Sequence, residues 1–125
     1  MKQSRILVID DSTTNIVLLD AVLTEKGYLI ETAMNAKEAS MRMEKQLPDL
    51  ILLDLLMPKI SGFDFLEQLR QDERTKKTPV IVISALNTDD ENLNKIKNLD
   101  AVDFLRKPID IQYLVNLVEK VLNHA

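Results

Sequence analysis

The run Leu50-Ile51-Leu52-Leu53-Asp54 decides how this chain folds, because four apolar residues end abruptly on one carboxylate. A short, wholly apolar run of this kind is typical of a strand buried on both faces of a parallel sheet. Two further runs end similarly: residues 6–9 are followed by Asp10-Asp11, and residues 80–83 are followed by Ser84. We therefore expect Asp54 to be a reactive group that the neighbouring strand ends serve.

Strand-length apolar runs alternate along the chain with longer segments of helical period. The predicted strands cover residues 6–9, 28–33, 49–54, 80–84 and 101–105. The predicted helices run from caps at 12–14 to Gly27, over 36–45, from Gly62 onward, over 89–99, and from about residue 110 onward. Five βα units indicate an α/β fold, with one parallel sheet covered by helices on both faces. Residues 1–125 are expected to form a single domain.

Helical spacing predicts which side chains face the core. In the first and third helices these are Ile16, Leu18, Leu19, Val22, Leu23, Phe63, Leu66 and Leu69. In the last helix they are Leu114, Leu117, Val118, Val121 and Leu122. The fourth helix is heavily charged, and we expect it to be the least firmly packed.

The composition argues against several classes of protein. No apolar run approaches the roughly 18 residues that a membrane span needs. The net charge is -4 and no basic run is present, so direct nucleic-acid binding is not expected. The chain has no cysteine, which rules out disulfides and thiolate-bound metals. We therefore expect a cytoplasmic protein with no membrane contact.

The carboxyl ends of parallel strands meet at one edge of a sheet, where ligands bind. Asp10, Asp11, Asp54, Ser84 and Lys107 would all gather at this edge. Each close pair of carboxylates costs about 1–4 kcal/mol through repulsion, and Lys107 cannot offset three negative charges. A hard divalent ion fits oxygen-only ligands, so the pattern favours Mg²⁺, which commonly binds substrate phosphate as well.

These residue types suit phosphoryl transfer. Asp54 can attack phosphorus and form an acyl phosphate. Lys107 can pair with one phosphoryl oxygen and Ser84 can donate a hydrogen bond to another. Transfer through a loose transition state requires mainly such positioning and charge neutralisation.

The chain resembles, over essentially its whole length, the receiver domain of two-component response regulators. The matching residues are Asp10-Asp11, Asp54, Met57-Pro58, Gly62, Ser84-Ala85 and Lys107-Pro108. Each piece alone is weak, but the joint pattern in this order is highly specific. The resemblance implies a flavodoxin-like fold with strand order 2-1-3-4-5. It also implies a signalling domain, and not an enzyme, that catalyses its own phosphorylation and dephosphorylation.

The resemblance assigns roles to individual residues. Asp54 would be the phosphoacceptor, supplied by the phosphohistidine of a sensor histidine kinase or a histidine phosphotransfer protein. Asp11, Asp54 and the main-chain carbonyl of Leu56 would bind Mg²⁺ directly, and Asp10 would act largely through water.

The resemblance also implies a conformational switch. The Ser84 hydroxyl would turn toward the phosphoryl group, and Phe104 would rotate into the space that Ser84 leaves. The surface of the fourth helix, fifth strand and fifth helix would then change for a downstream effector that the sequence does not name. The family pattern further predicts a cis Lys107–Pro108 bond. Asp100 replaces a usual glycine, and a left-handed backbone there would be tolerated at modest cost.

Two alternatives belong to other functional classes. One is a metal-dependent phosphatase or phosphotransferase with an Asp nucleophile. Against it, Leu55-Leu56 follow Asp54 where a second acid could protonate a leaving group, and no cap domain is expected. The other is a receiver whose surface binds partners without phosphorylation, which the complete set of site residues disfavours.

Lys120 is the clearest basic residue of the last helix, so we expect a monomer or weak homodimer. We expect His124 to be a solvated end residue.

Overall fold

The computed structural model describes residues 3–56, 60–85 and 90–123. Its strands are Arg5–Ile9 (β1), Leu29–Ala33 (β2), Leu50–Leu53 (β3), Val80–Ser84 (β4) and Asp103–Arg106 (β5). Its helices are Thr13–Glu25 (α1), Ala36–Lys45 (α2), Gly62–Gln71 (α3), Asp90–Asn98 (α4) and Ile111–Asn123 (α5). The Met57-Pro58 pair, residue 89 and His124 lie outside the described residues.

The five strands form one parallel sheet in the order β2-β1-β3-β4-β5, which confirms the predicted fold class and strand order. β1 and β3 lie side by side, with Ile9 paired to Leu53. The N–H of Asp54 donates to the carbonyl of Ile9 at 2.9 Å. This register brings Asp10 and Asp54 to the same edge of the sheet, because both directly follow the ends of paired strands.

Alternating strand residues point to opposite faces of the sheet and build two separate core layers. One face packs against α2, α3 and Ile96 of α4, and its buried strand residues are Leu7, Ile9, Ala33, Ile51, Leu53, Val80 and Val82. The other face packs against α1 and α5, and its strand residues are Ile6, Val8, Leu50, Leu52, Ile81 and Ile83. Burial on both faces explains why these strands are almost wholly apolar.

Some predicted boundaries were wrong by one or two residues. β5 begins at Asp103 and not at residue 101, because the N–H of Ala101 still closes the end of α4 by donating to Ile96. The described part of α4 ends at Asn98 and not at residue 99. α5 begins at Ile111, since the Asp110 side chain caps it by accepting the N–H of Tyr113 at 3.1 Å.

One predicted core position was also wrong. Leu18 does not widen the buried stripe of α1: it is 42% exposed, and its neighbour Val17 is 62% exposed. In α3 the predicted inward positions are confirmed, with Phe63 partly buried against the core layer, but the prediction lacked Phe65, which is the fully buried aromatic residue of this helix. Helical spacing places Phe63 and Leu66 on one face, but Phe65 and Leu69 lie on that face equally well. Among the described residues, no helix combines the length and apolarity that spanning a bilayer requires.

Candidate functional site

Three carboxylates meet beyond the carboxyl ends of β1 and β3. Asp10, Asp11 and Asp54 each place one carboxylate oxygen within 4.8 Å of the others. Asp10 and Asp54 are only 2% and 3% exposed, whereas Asp11 is exposed to solvent. Parallel strand ends therefore bring together the three acids that the sequence predicted to be neighbours.

Lys107 joins the two buried acids. Its ammonium Nζ lies 3.0 Å from Asp10 Oδ2 and 3.2 Å from Asp54 Oδ2. Burial alone would lower the pKa of Lys107, but the hydrogen bond and charge of Asp10, together with those of Asp54, outweigh burial and raise it. Lys107 therefore carries a secure positive charge at the point where negative charge is densest.

Asp54 is held by two donors, one on each carboxylate oxygen. Oδ1 accepts the N–H of Leu56 at 3.0 Å, and Oδ2 accepts the Lys107 ammonium at 3.2 Å. Burial raises the pKa of Asp54, and the charge of Asp10 raises it further, against the lowering effects of Leu56 and Lys107. Asp54 is thus fixed in orientation by two donors, and the raised pKa shows that these donors do not fully offset its burial and the neighbouring charge of Asp10.

Asp10 has both oxygens committed to protein donors. Oδ1 accepts the N–H of Ser12 at 2.8 Å, and Oδ2 contacts Lys107 and, at 3.5 Å, the Asn15 amide. Asp11 is exposed, and Asp54 has one protein donor on each oxygen whereas Asp10 has three contacts in all, so Asp11 and Asp54 are better placed than Asp10 to bind an ion directly. The donor set consists of oxygens with no histidine or cysteine among them, which fits a hard cation such as Mg²⁺.

Two further predicted site residues, Ser84 and Phe104, lie on the adjacent strands β4 and β5. Ser84 ends β4 and is fully buried, and its main-chain carbonyl accepts the N–H of Lys107 at 3.0 Å. Phe104 pairs in register with Val82 of β4 and is partly buried against the α2–α3 core layer. The Lys107–Pro108 bond is cis, as predicted.

Gly62 controls how closely α3 approaches the Asp54 segment. Its N–H donates to the carbonyl of Leu55 at 2.9 Å. An added Cβ would lie 2.4 Å from Leu55 Cα and 2.6 Å from the Asp54 carbonyl oxygen, so no other residue fits without a shift. The side chain of Ser61 caps the helix by accepting the N–H of Asp64 at 3.2 Å. The start of α3 is therefore packed directly against the main chain that carries Asp54.

The sequence interpretation missed an exposed apolar face on α1, formed by Val17 and Leu18. The sequence of α1 does indicate such a face, because it contains more apolar residues than one buried stripe requires. α1 begins three residues after Asp10 and so starts at the same edge of the sheet as the acidic cluster.

The model of the response regulator receiver domain family matches residues 6–119 of the chain. The chain belongs to this family. It is a receiver domain of two-component response regulators, a signalling phosphoacceptor class with a CheY-like, flavodoxin-like fold.

Relatives of this receiver domain differ in how much of their length it covers. It is 41% identical over 107 residues to response regulator PleD of Caulobacter vibrioides, covering 86% of the chain but 23% of PleD. It is 34% identical to protein PilH of Pseudomonas aeruginosa, covering 95% of the chain and 98% of PilH. Several other matched regulators are about twice as long as the aligned segment, among them RpaA of Synechocystis, of which 50% is covered.

Solved structures show the same architecture. A response regulator receiver protein from Pseudomonas putida superposes with a TM-score of 0.90 at 34% identity, covering 96% of this chain and 98% of that one. The Vibrio cholerae chemotaxis protein CheY4 superposes with a TM-score of 0.88 at 28% identity, covering 96% and 99%.

Proposed function

We propose that this receiver domain accepts a phosphoryl group on Asp54, in a Mg²⁺-dependent transfer from the phosphohistidine of a sensor histidine kinase or histidine phosphotransfer protein. The observation that carries the proposal is the buried Asp54 carboxylate, held by Lys107 and the Leu56 N–H beside two further acids. The proposal treats residues 1–125 as one receiver domain acting in the cytoplasm.

The metal site comprises Asp11, Asp54 and the main-chain carbonyl of Leu56, with Asp10 acting largely through water. Bound Mg²⁺ supplies positive charge that offsets the carboxylates and the phosphoryl oxygens. The exposure of Asp11 supports this assignment, as do the three protein contacts that the Asp10 carboxylate already makes, with Ser12, Asn15 and Lys107. Removal of Mg²⁺ by a chelator should therefore stop phosphorylation even though every metal-binding residue of the protein is still present.

The chain's own residues carry out the transfer. A carboxylate oxygen of Asp54 forms the new bond to phosphorus as the bond from phosphorus to the donor imidazole nitrogen breaks. That nitrogen keeps the electron pair and takes a proton from solvent. Lys107 exchanges its contact with Asp54 for one with a phosphoryl oxygen, and the Ser84 hydroxyl donates to another. In-line attack needs an oriented carboxylate, which the Leu56 N–H supplies.

The signal then passes to the surface of α4, β5 and α5. Ser84 is the last residue of β4, and Phe104 lies on the adjacent strand β5, opposite Val82. A movement of Ser84 would therefore act on β5 through the pairing of these two strands. Rotation of Phe104 would alter this surface for a downstream effector. Packed layers of this kind switch between discrete arrangements more readily than they deform continuously.

Intact-mass spectrometry after treatment with acetyl phosphate and Mg²⁺ tests the assignment of Asp54. We expect one acid-labile phosphoryl group per chain in the wild type, none in Asp54→Asn, and one in the control Asp64→Asn, an exposed acid on α3. An adduct that survives Asp54→Asn, or that is acid-stable, would reject the assignment. Repeated turnover of a phosphomonoester would instead favour the phosphatase alternative.

The exposed apolar face of α1 is the surface we propose for docking of the phosphohistidine-bearing partner. A donor protein must approach the edge of the sheet that holds Asp54, and α1 begins at that edge. Val17 and Leu18 are exposed apolar side chains there, at 62% and 42%, and exposed apolar patches commonly mark protein interfaces.

We expect Val17→Asp to slow phosphotransfer from a protein donor about tenfold or more, because a charge at an apolar contact is left desolvated. Acetyl phosphate should phosphorylate the variant at the wild-type rate, since a small donor does not use the α1 surface. Met41→Asp, at an apolar residue of α2 that is 55% exposed, is the matched control. Equal slowing with both donors would place the effect in the acidic site and reject docking on α1.

A further inference from the structure

Arg70 makes an unusually large set of main-chain contacts far from the acidic site. It lies in the last turn of α3, which starts beside Asp54 and ends at the opposite edge of the sheet. Its guanidinium donates to five carbonyl oxygens, those of Leu99 (2.7 Å), Thr78 (2.8 Å), Thr75 (3.2 Å), Lys76 (3.2 Å) and Asp100 (3.4 Å). A planar guanidinium with five donors suits such a convergent set of acceptors.

Two of these contacts complete the C-terminal end of α4. The N–H of Ala101 donates to Ile96 and the N–H of Asp100 donates to Lys97, a Schellman arrangement with Asp100 in the left-handed region at φ 58°. This turn leaves the carbonyls of Leu99 and Asp100 pointing to Arg70. A cation at the negative end of a helix is favourable in addition to the hydrogen bonds.

The other three contacts hold the segment that leads into β4. Thr75, Lys76 and Thr78 lie between the end of α3 and the first residue of β4, Val80. The carbonyl of Val80 in turn accepts the N–H of Val102, just before β5. Arg70 thus links the start of β4, the end of α4 and the approach to β5. At its other end β4 finishes with Ser84, and β5 finishes with Arg106, directly before Lys107.

Among the side chains that the structure describes, Ile96 and Lys95 also attach α4 to the rest of the domain. Ile96 is its one fully buried residue, and the other apolar positions of the helix are partly buried at most. Lys95 lies over the Phe63 ring with Nζ 4.9 Å from the centroid. A cation–π contact at a partly exposed site is weaker than several charge-assisted hydrogen bonds together.

We propose that Arg70 is a positioning residue for the phosphorylation switch. It fixes the C-terminal end of α4 and the starts of β4 and β5, so that the response to phosphorylation is confined to the opposite end of α4. This proposal rests on the proposed function, because it concerns how a change at Ser84 and Phe104 reaches α4. Without this anchor, α4 would loosen as a whole and its two states would become less distinct.

Hydrogen exchange of the wild type, with and without acetyl phosphate and Mg²⁺, tests the anchor without any substitution. We expect phosphorylation to change exchange in residues 90–95 while residues 99–102 and 78–81 keep their protection. The intact mass of the same sample reports phosphorylation independently. Absence of the adduct would reject the proposed function, whereas an adduct with equal changes at both ends of α4 would reject the role of Arg70.

Substitution provides the second arm. In unphosphorylated Arg70→Met, exchange in residues 96–102 should rise about tenfold or more, because several hydrogen bonds to a charged group are lost together. Arg70→Lys should restore little, since one ammonium cannot reach both loops with the fork geometry of arginine. Arg74→Met is the matched control: Arg74 is exposed, and its contacts are with Asp72 in the same turn.

The decisive readout is the phosphorylation-dependent change in exchange across α4. In Arg70→Met we expect that difference to shrink and to spread over the whole helix, while acetyl phosphate still adds one phosphoryl group per chain. A merely structural role would lower stability but keep the wild-type difference confined to residues 90–95. That outcome, or full rescue by Arg70→Lys, would overturn the proposal.

Discussion

Lys107→Met is expected to slow phosphorylation of Asp54 by acetyl phosphate roughly 10²-fold or more, as removal of one preorganised donor at a site of developing charge typically does. The same variant should bind Mg²⁺ more tightly. Lys107 Nζ lies 3.0–3.2 Å from the carboxylates of Asp10 and Asp54, so its charge competes with any metal for the same negative field. Removing one cation at this range is equivalent to about 1–4 kcal/mol, or roughly fivefold to 10³-fold in affinity.

Two measurements separate these opposite effects. The rate comes from intact mass followed over time, and the affinity comes from calorimetric titration with magnesium chloride. Lys120→Met removes the same charge from the exposed face of α5 and should leave both quantities near their wild-type values. Weaker Mg²⁺ binding in Lys107→Met would mean that the lysine organises the metal ligands and does not compete with the metal, contrary to this prediction.

Gly62→Ala is expected to lower the free energy of unfolding by roughly 1–3 kcal/mol, the usual cost of overpacking. Helix propensity alone predicts the opposite, since alanine is normally the better helix residue. Packing prevails because the new Cβ would lie 2.4 Å from Leu55 Cα and 2.6 Å from the Asp54 carbonyl oxygen, and both are main-chain atoms. α3 or the Asp54 segment must move, so phosphorylation should slow as well.

Urea unfolding and the acetyl phosphate reaction measure the two consequences of Gly62→Ala. Gly27→Ala is an informative comparison, because Gly27 has φ 97° and no atom within 4 Å of an added Cβ. It should lose about 1 kcal/mol to left-handed strain alone and phosphorylate normally. If Gly62→Ala were as stable and as reactive as the wild type, α3 would have room that the structure does not show.

The fold and the central acids could be predicted because their signals are local. A buried parallel strand must be apolar throughout, so the first charged residue after the apolar run marks the end of the strand in the sequence, as at Asp10 and Asp54. Because all strands of a parallel sheet point in the same direction, their carboxyl ends lie at one edge, and this can be predicted before the packing of side chains is known. The strand order needed the family resemblance, since apolar runs do not record which strand lies beside which.

Other features could not be predicted because they depend on which partner a side chain finds. Phe63 and Phe65 are both apolar, and helical spacing cannot decide between them until α3 is placed on the sheet. Leu18 was predicted to face the core because it is apolar and lies next to the buried stripe of α1. Its outward position is set by tertiary packing, which the local sequence does not record. The five acceptors of Arg70 come from two separate segments, the connection between α3 and β4 and the end of α4, and no local sequence pattern indicates that these segments converge on one side chain.

The position of Lys107 means that the acidic site carries its own counter-ion. A cluster held together solely by metal would fall apart when the metal leaves, and each loading cycle would then include a local refolding step. Here the ammonium already spans Asp10 and Asp54. Under the proposed function, binding of Mg²⁺ would therefore exchange contacts within a cluster that is already assembled, and would not need a local folding step first.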